Sequence, residues 1–124
     1  MHAVIETPTF LRDCDDAEIT DDERLTIINA IAAEPQGGDL MPGTGGARKR
    51  RFAGRGKGKS GGYRTVSYYA ADDVPVLLLA LIDKGERADL SKAEQNDLRV
   101  RLSRYAQTYR EGMMRQIHHM RFRP

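Results

Sequence analysis

Residues Val74 to Ile82 read Val-Pro-Val-Leu-Leu-Leu-Ala-Leu-Ile, and no other stretch of the chain restricts its fold as much. Alternating apolar and polar residues mark a strand wetted on one side, whereas a continuous branched apolar run marks a strand covered on both. Pro75 has no amide hydrogen to give a sheet ladder, so it belongs at the start of that strand. The run is far short of the ~20 apolar residues a membrane helix needs. The first residues, Met1 to Glu6, lack the charged start and long apolar run of a signal peptide. With 124 residues, the chain is expected to form one domain around one modest core, and to be soluble and cytoplasmic with no membrane partner.

Local signals place the other elements around this strand. Residues 3–6 alternate weakly, as a short strand. Thr7-Pro8 opens a first helix, with Thr7 as N-cap and Pro8 in the first turn, running to about Ala17. Thr20-Asp21-Asp22-Glu23 is a capping box at the start of a second helix, whose acids also suit the positive end of its dipole. Leu25, Ile28, Ile31 and Ala32 give that helix an apolar face, and Pro35, Gly37 and Gly38 end it. The two helices make a hairpin. Pro42 to Gly46 is a turn, Arg48 to Ala53 a strand, residues 54–61 a glycine–lysine loop, and Gly62 to Ala70 a second strand. Asp72-Asp73 marks the turn into the Val74–Ile82 strand, and Asp83 to Leu90 is a polar loop. Ser91-Lys92-Ala93-Glu94 is another capping box. It opens one helix carrying Leu98, Leu102, Tyr105, Tyr109, Met113 and Ile117, fraying from about Arg115. The order β-α-α-β-β-β-α describes an α+β fold: an N-terminal helical hairpin packed on a mainly antiparallel twisted sheet, with a C-terminal helix.

The net charge of +2 conceals strong segregation. Arg48 to Arg64 holds eight cations in seventeen residues, and no carboxylate occurs between Asp39 and Asp72. Residues 1–39 carry ten acids against two bases, and residues 99–124 seven arginines against one glutamate. A concentrated, uncompensated positive field suits a polyanion, and the acidic front end is expected to face away from it. The single cysteine, Cys14, makes no internal disulfide possible, and no Cys/His spacing resembles a zinc site.

Several motif-like strings carry no weight. Gly56-x-Gly58-x-x-Gly61 matches a dinucleotide fingerprint, and Gly58-Lys59-Ser60 the end of a phosphate-binding loop. Both need a helix directly after the glycines, where strand-like residues 63–69 stand. His118 and His119 are adjacent and cannot share a helical face.

The cations themselves can form a site. In an extended segment Lys57 and Lys59 project to one side. If the two following strands pair about Asp72-Asp73, Arg64 falls near residue 81 or 82. Lys84 then lies close to Arg64, and four cations converge on one sheet edge. Such a cluster contains neither histidine nor carboxylate, which points away from metal-assisted hydrolysis and requires no cofactor. RNA supplies its own nucleophile, the 2′-hydroxyl. The protein must align it, take its proton and stabilise the charge that develops on phosphorus. Arginine holds two phosphate oxygens with its planar fork, and a lysine among cations has a lowered pKa that lets part of it act as base.

The strings Pro42-Gly43-Thr44-Gly45-Gly46-x-Arg48-Lys49 and Gly56-Lys57-Gly58-Lys59-Ser60-Gly61-Gly62-x-Arg64, followed by a tyrosine pair, the leucine-rich strand, Lys84 and Leu90 to Glu94, resemble the RelE/HigB-type toxins of bacterial type II toxin–antitoxin pairs, in the RelE/ParE superfamily. The resemblance spans about residues 3–102. It implies a toxin domain over residues 1–110 with a basic C-terminal helical extension over 111–124. It also implies entry into the ribosomal A site, metal-independent mRNA cleavage that inhibits translation, contact with ribosomal RNA, and a cognate antitoxin with a helix-turn-helix domain. By position it assigns Lys57, Lys59, Arg64 and Lys84 to catalysis, and Arg48, Lys49, Arg50 and Arg55 to RNA binding. Relatives often carry an aromatic residue where Ile82 stands, and the arginine-rich end beyond about Leu102 is longer than usual. Two rival readings remain at this level: a ParE-like gyrase inhibitor on the same fold, and a basic RNA-binding module without catalysis.

Overall fold

The structure, a computed structural model, describes residues 1–54, 58–87 and 89–120, with residues 58–61 described only through their place in a strand. The elements are β1 (Val4–Glu6), α1 (Pro8–Asp16), α2 (Asp21–Ala33), β2 (Asp39–Leu40), β3 (Arg48–Gly54), β4 (Gly58–Tyr68), β5 (Val76–Asp83), α3 (Lys92–Leu102) and α4 (Tyr105–His119). One sheet has the order β1-β5-β4-β3-β2. β1 runs parallel to β5, and the remaining pairs are antiparallel.

The expectation that the leucine-rich strand is covered on both faces holds. On one side Tyr63, Val76, Leu78 and Leu81 pack against Phe10 and Cys14 of α1 and Ile27 and Ile31 of α2. On the other, Val66, Ala80 and Ile82 pack with Leu90 and with Leu102 of α3. A β-bulge shifts the alternation partway along: Val66 pairs with Ala80 but Ser67 with Leu78, so Leu79 is the extra residue. Leu79 and Ala80 consequently serve the same core layer. Pro75 lies just before β5, as its missing amide requires.

The N-terminal hairpin starts where its caps direct. The Thr7 hydroxyl accepts from Phe10 N and donates to the Leu78 carbonyl at 2.8 Å, so one side chain both caps α1 and ties it to β5. β1 pairs only with Val76 to Leu78, and beyond it the Leu81 N–H of β5 is taken by the Asp13 carboxylate at 3.0 Å. Thr20 and Glu23 form the reciprocal box at α2, as Ser91 and Glu94 do at α3. Cys14 is buried in the core under α1, and that burial pushes its thiol up to about 11.

Four expectations are corrected. In α2 the core face carries Ile27, not Leu25: Leu25, two residues away and nearly opposite on the helix, is exposed. The glycine–lysine loop is shorter than 54–61, because β3 continues to Gly54 and β4 begins at Gly58, the two pairing with each other. A short β2 precedes β3. Finally, the C-terminal helix is two helices. Ser103 turns its hydroxyl back onto the Val100 carbonyl, a bond that competes with helix continuation. After this break, the Tyr105 hydroxyl donates to the Pro75 carbonyl at 2.7 Å. α4 then runs without interruption through positions 110 and 111 to His119, so residues 115–119 remain helical.

Thr7 performs two tasks and Thr20 one, which separates their costs. Thr20→Ala is expected to lower the unfolding free energy by about 1 kcal/mol, an ordinary capping loss. Thr7→Ala is expected to cost about 2 kcal/mol, since the Leu78 carbonyl of β5, which keeps the Thr7 N–H, also loses its hydroxyl donor. Urea denaturation of the two variants against the parent chain checks the order.

Candidate functional site

The glycine-rich turn before β3 is a structural device. Gly43, Gly45 and Gly46 have φ of +78°, +77° and +116°, values that side chains rarely adopt. Thr44 between them is fully buried; its hydroxyl donates to the Met41 carbonyl at 2.7 Å and accepts from Ala47 N at 3.0 Å. This knot delivers the chain into β3 at Arg48. Further along, β4 passes so close to β3 that a Cβ on Gly62 would lie 2.5 Å from the Phe52 carbonyl oxygen. Glycine at this position lets the strands close just before Arg64.

Pairing then sets the cations. Arg64 stands directly opposite Arg51 on β3 and opposite Ile82 on β5. Lys84 follows two residues after Ile82, and its N–H reaches the Gly62 carbonyl at 3.4 Å, extending the ladder by one step. Direct cross-strand partners share a face, and so do residues two apart. Arg51, Arg64 and Lys84 therefore occupy one face, the one whose apolar part (Val66, Ala80, Ile82) is packed with Leu90 and α3. The cations lie beyond the end of that core. Opposed side chains have Cβ atoms ~5 Å apart and diagonal ones ~7–8 Å. The electrostatics agree: Lys84 is held below the ordinary lysine range, first by loss of solvent and then by the positive charges of Arg51 and Arg64. Lys84 next to Arg64 is what the hairpin register was expected to produce.

The other expected site residues divide. Lys49 shares the face of Arg51, but its ammonium lies 3.5 Å from the Asp89 carboxylate. Arg48 donates to the Gly38 carbonyl. Arg50 does not join the cation row. It projects to the opposite face, donates to the Ala30 carbonyl near the end of α2 at 3.2 Å, and lies over the Phe52 ring at 5.4 Å. Its placement serves the fold, tying helix to sheet. Arg55 and Lys57 lie outside the described residues, and Lys59 is described only as a position in β4. Convergence is thus seen for Arg64 and Lys84; the share of Lys57 and Lys59 in it lies outside the described side chains. Ile82 is 1% exposed, so it packs and offers no surface on which a base could stack. The residue that sequence reasoning missed is Arg51. Four consecutive cations, Arg48 to Arg51, look alike until the register with Arg64 singles one out.

Among the described residues no group of three or more His, Cys, Asp and Glu side chains could hold a metal ion. No helix among them is long and apolar enough to cross a membrane. A family model described as "RelE toxin of RelE / RelB toxin-antitoxin system" matches residues 2–124. The match takes in the C-terminal helices as well as the strand and loop motifs.

The crowding at Lys84 is open to direct titration. Its pKa, followed by NMR on the side-chain resonances, is expected below that of a free lysine. Arg64→Ala, by removing a nearby positive charge, is expected to raise it. An unshifted Lys84 in the parent protein would show that the row does not crowd as its register implies.

Proposed function

Because this chain belongs to the RelE toxin family of RelE/RelB toxin–antitoxin systems, we propose that it is a ribosome-dependent, metal-independent endoribonuclease that cuts mRNA in the A site and so halts translation. The observation that carries this reading is the register that sets Arg64 beside Ile82 and brings Lys84 onto the same face. Family membership implies a RelB-type antitoxin partner. A helix-turn-helix domain in that antitoxin, contacts with ribosomal RNA and a cytoplasmic site of action belong to the proposal.

The chemistry follows from what cations can do at a phosphodiester. The 2′-hydroxyl attacks the adjacent phosphorus, in line with the 5′ oxygen. Its proton passes to a base, a bond forms from the 2′ oxygen to phosphorus, and the bond to the 5′ oxygen breaks. The products are a 2′,3′-cyclic phosphate and a 5′-hydroxyl, the leaving oxygen having gained a proton. In this reading Arg64 holds the non-bridging oxygens as their charge grows, a task suited to a planar fork on a rigid strand. Lys57 and Lys59 contact the RNA and activate the hydroxyl. Lys84, crowded by two guanidiniums, keeps a larger neutral fraction than an ordinary lysine and can exchange protons with the reacting oxygens. The resemblance assigns Arg48, Lys49, Arg50 and Arg55 to RNA binding. Arg48 and Lys49 contribute field from the rim in this proposal, and Arg50 contributes through the fold.

Arg64→Ala is expected to abolish growth arrest on induction while leaving circular dichroism and antitoxin binding unchanged. Mapping of transcript 5′ ends after induction should show new cuts within coding regions for the parent protein and none for the variant. Intact transcripts together with DNA damage would instead identify a gyrase poison. Intact transcripts with salt-sensitive RNA binding would identify a non-catalytic module.

A further inference from the structure

We propose that Arg51 is a phosphate-binding residue of this site, gripping the scissile phosphate from the open side of the sheet while Arg64 holds it from the middle strand. The proposal rests on the ribonuclease reading and adds to it a residue and a task.

The argument begins with the four consecutive cations that open β3. Three of them are engaged within the molecule: Arg48 with the Gly38 carbonyl, Lys49 with Asp89, and Arg50 with the Ala30 carbonyl and the Phe52 ring. Arg51 is exposed, and among the described residues its side chain makes no hydrogen bond or ion pair. Its place is nonetheless well determined, since β3–β4 pairing sets it directly opposite Arg64. Like charges directly opposed on neighbouring strands destabilise a sheet. Here a third cation, Lys84, approaches the same pair, and both arginines act on it. A fold that only needed a solvated strand would gain by a neutral residue at position 51. An anion placed between the two guanidiniums reverses the sign of the interaction, since each fork can donate two parallel N–H groups to phosphate oxygens. A phosphodiester passing through a near-in-line transition state presents such oxygens, with growing charge, to both sides at once. The apolar layer ends at buried Ile82, directly opposite Arg64, so the paired arginines stand where that layer stops.

The test uses the full chain with Arg51→Ala and Arg51→Lys, in three measurements. With programmed ribosomes and saturating toxin, Arg51→Ala is expected to slow single-turnover mRNA cleavage on the order of 100-fold. Arg51→Lys should recover only part of this, because an ammonium keeps the charge and loses the fork. In the pH–rate profile and in the NMR titration of Lys84, Arg51→Ala should move the lysine's transition to higher pH, whereas Arg51→Lys should leave it in place. Inorganic phosphate, titrated without ribosomes, should shift the Nε–H resonances of Arg51 and Arg64 together in the parent protein, and that of Arg64 more weakly in Arg51→Ala. Parent-like saturating rate and pH profile in Arg51→Ala would overturn the assignment. So would a defect cured by raising toxin concentration, which would reduce Arg51 to long-range steering. If phosphate moves both arginines but the parent protein cuts no message, the anion site stands and the ribonuclease reading falls.

Discussion

Backbone pairing of β4 with both of its neighbours is the constraint on which the rest of this molecule depends. β4 lies between β3 and β5, and its contacts with them are the densest in the sheet. Its hydrogen bonds decide which residues enter the helical-hairpin core, which enter the α3 core and which are left at the end of the sheet with their charges exposed. A slip of one residue would exchange the two faces. Arg64 would then point toward the layer now held by Tyr63 and Thr65, both buried. The bulge at Leu79 is part of the same constraint, because it decides which β5 residues enter which layer: Leu78 and Leu81 go to one, Leu79, Ala80 and Ile82 to the other.

The basic segment divides its labour by position. Two of its arginines, 48 and 50, are hydrogen-bonded to backbone carbonyls and brace the turn and helix beside β3. Alternation along one strand turns Arg51 away from its neighbour Arg50 and toward Arg64. Charge density alone therefore overstates the number of cations that share the face of Arg64. A count of cations in the sequence measures the field at a distance; the geometry of a phosphate grip is a matter of register.

What could be read from the amino acids is what local chemistry decides. Thr7, Thr20 and Ser91 announce helix starts through the residues right beside them, and all three cap as expected. The tight connection around Asp72 and Asp73 leaves little freedom in how the flanking strands pair, so Arg64 against Ile82 was within reach. The features that escaped are those settled by distant parts of the chain. An unbroken leucine run carries no alternation from which a bulge could be inferred. Ile27 and Leu25 are equally apolar, and only packing against α1 and the sheet chooses between them. The break at Ser103 involves neither proline nor glycine, and Tyr105 beyond it is bonded to a carbonyl thirty residues away. For Arg51, the deciding partner lies across a strand.

The chain has one sulfhydryl, at Cys14, enclosed by the helical hairpin and held almost wholly in its protonated form at neutral pH. Thiol-directed reagents act on the thiolate, so the native fold is close to silent toward maleimides and spin labels. A cysteine engineered beside the cation row would then be the sole reactive handle on the surface, and a fluorophore or crosslinker placed there would report on whatever approaches that face without first removing a native residue.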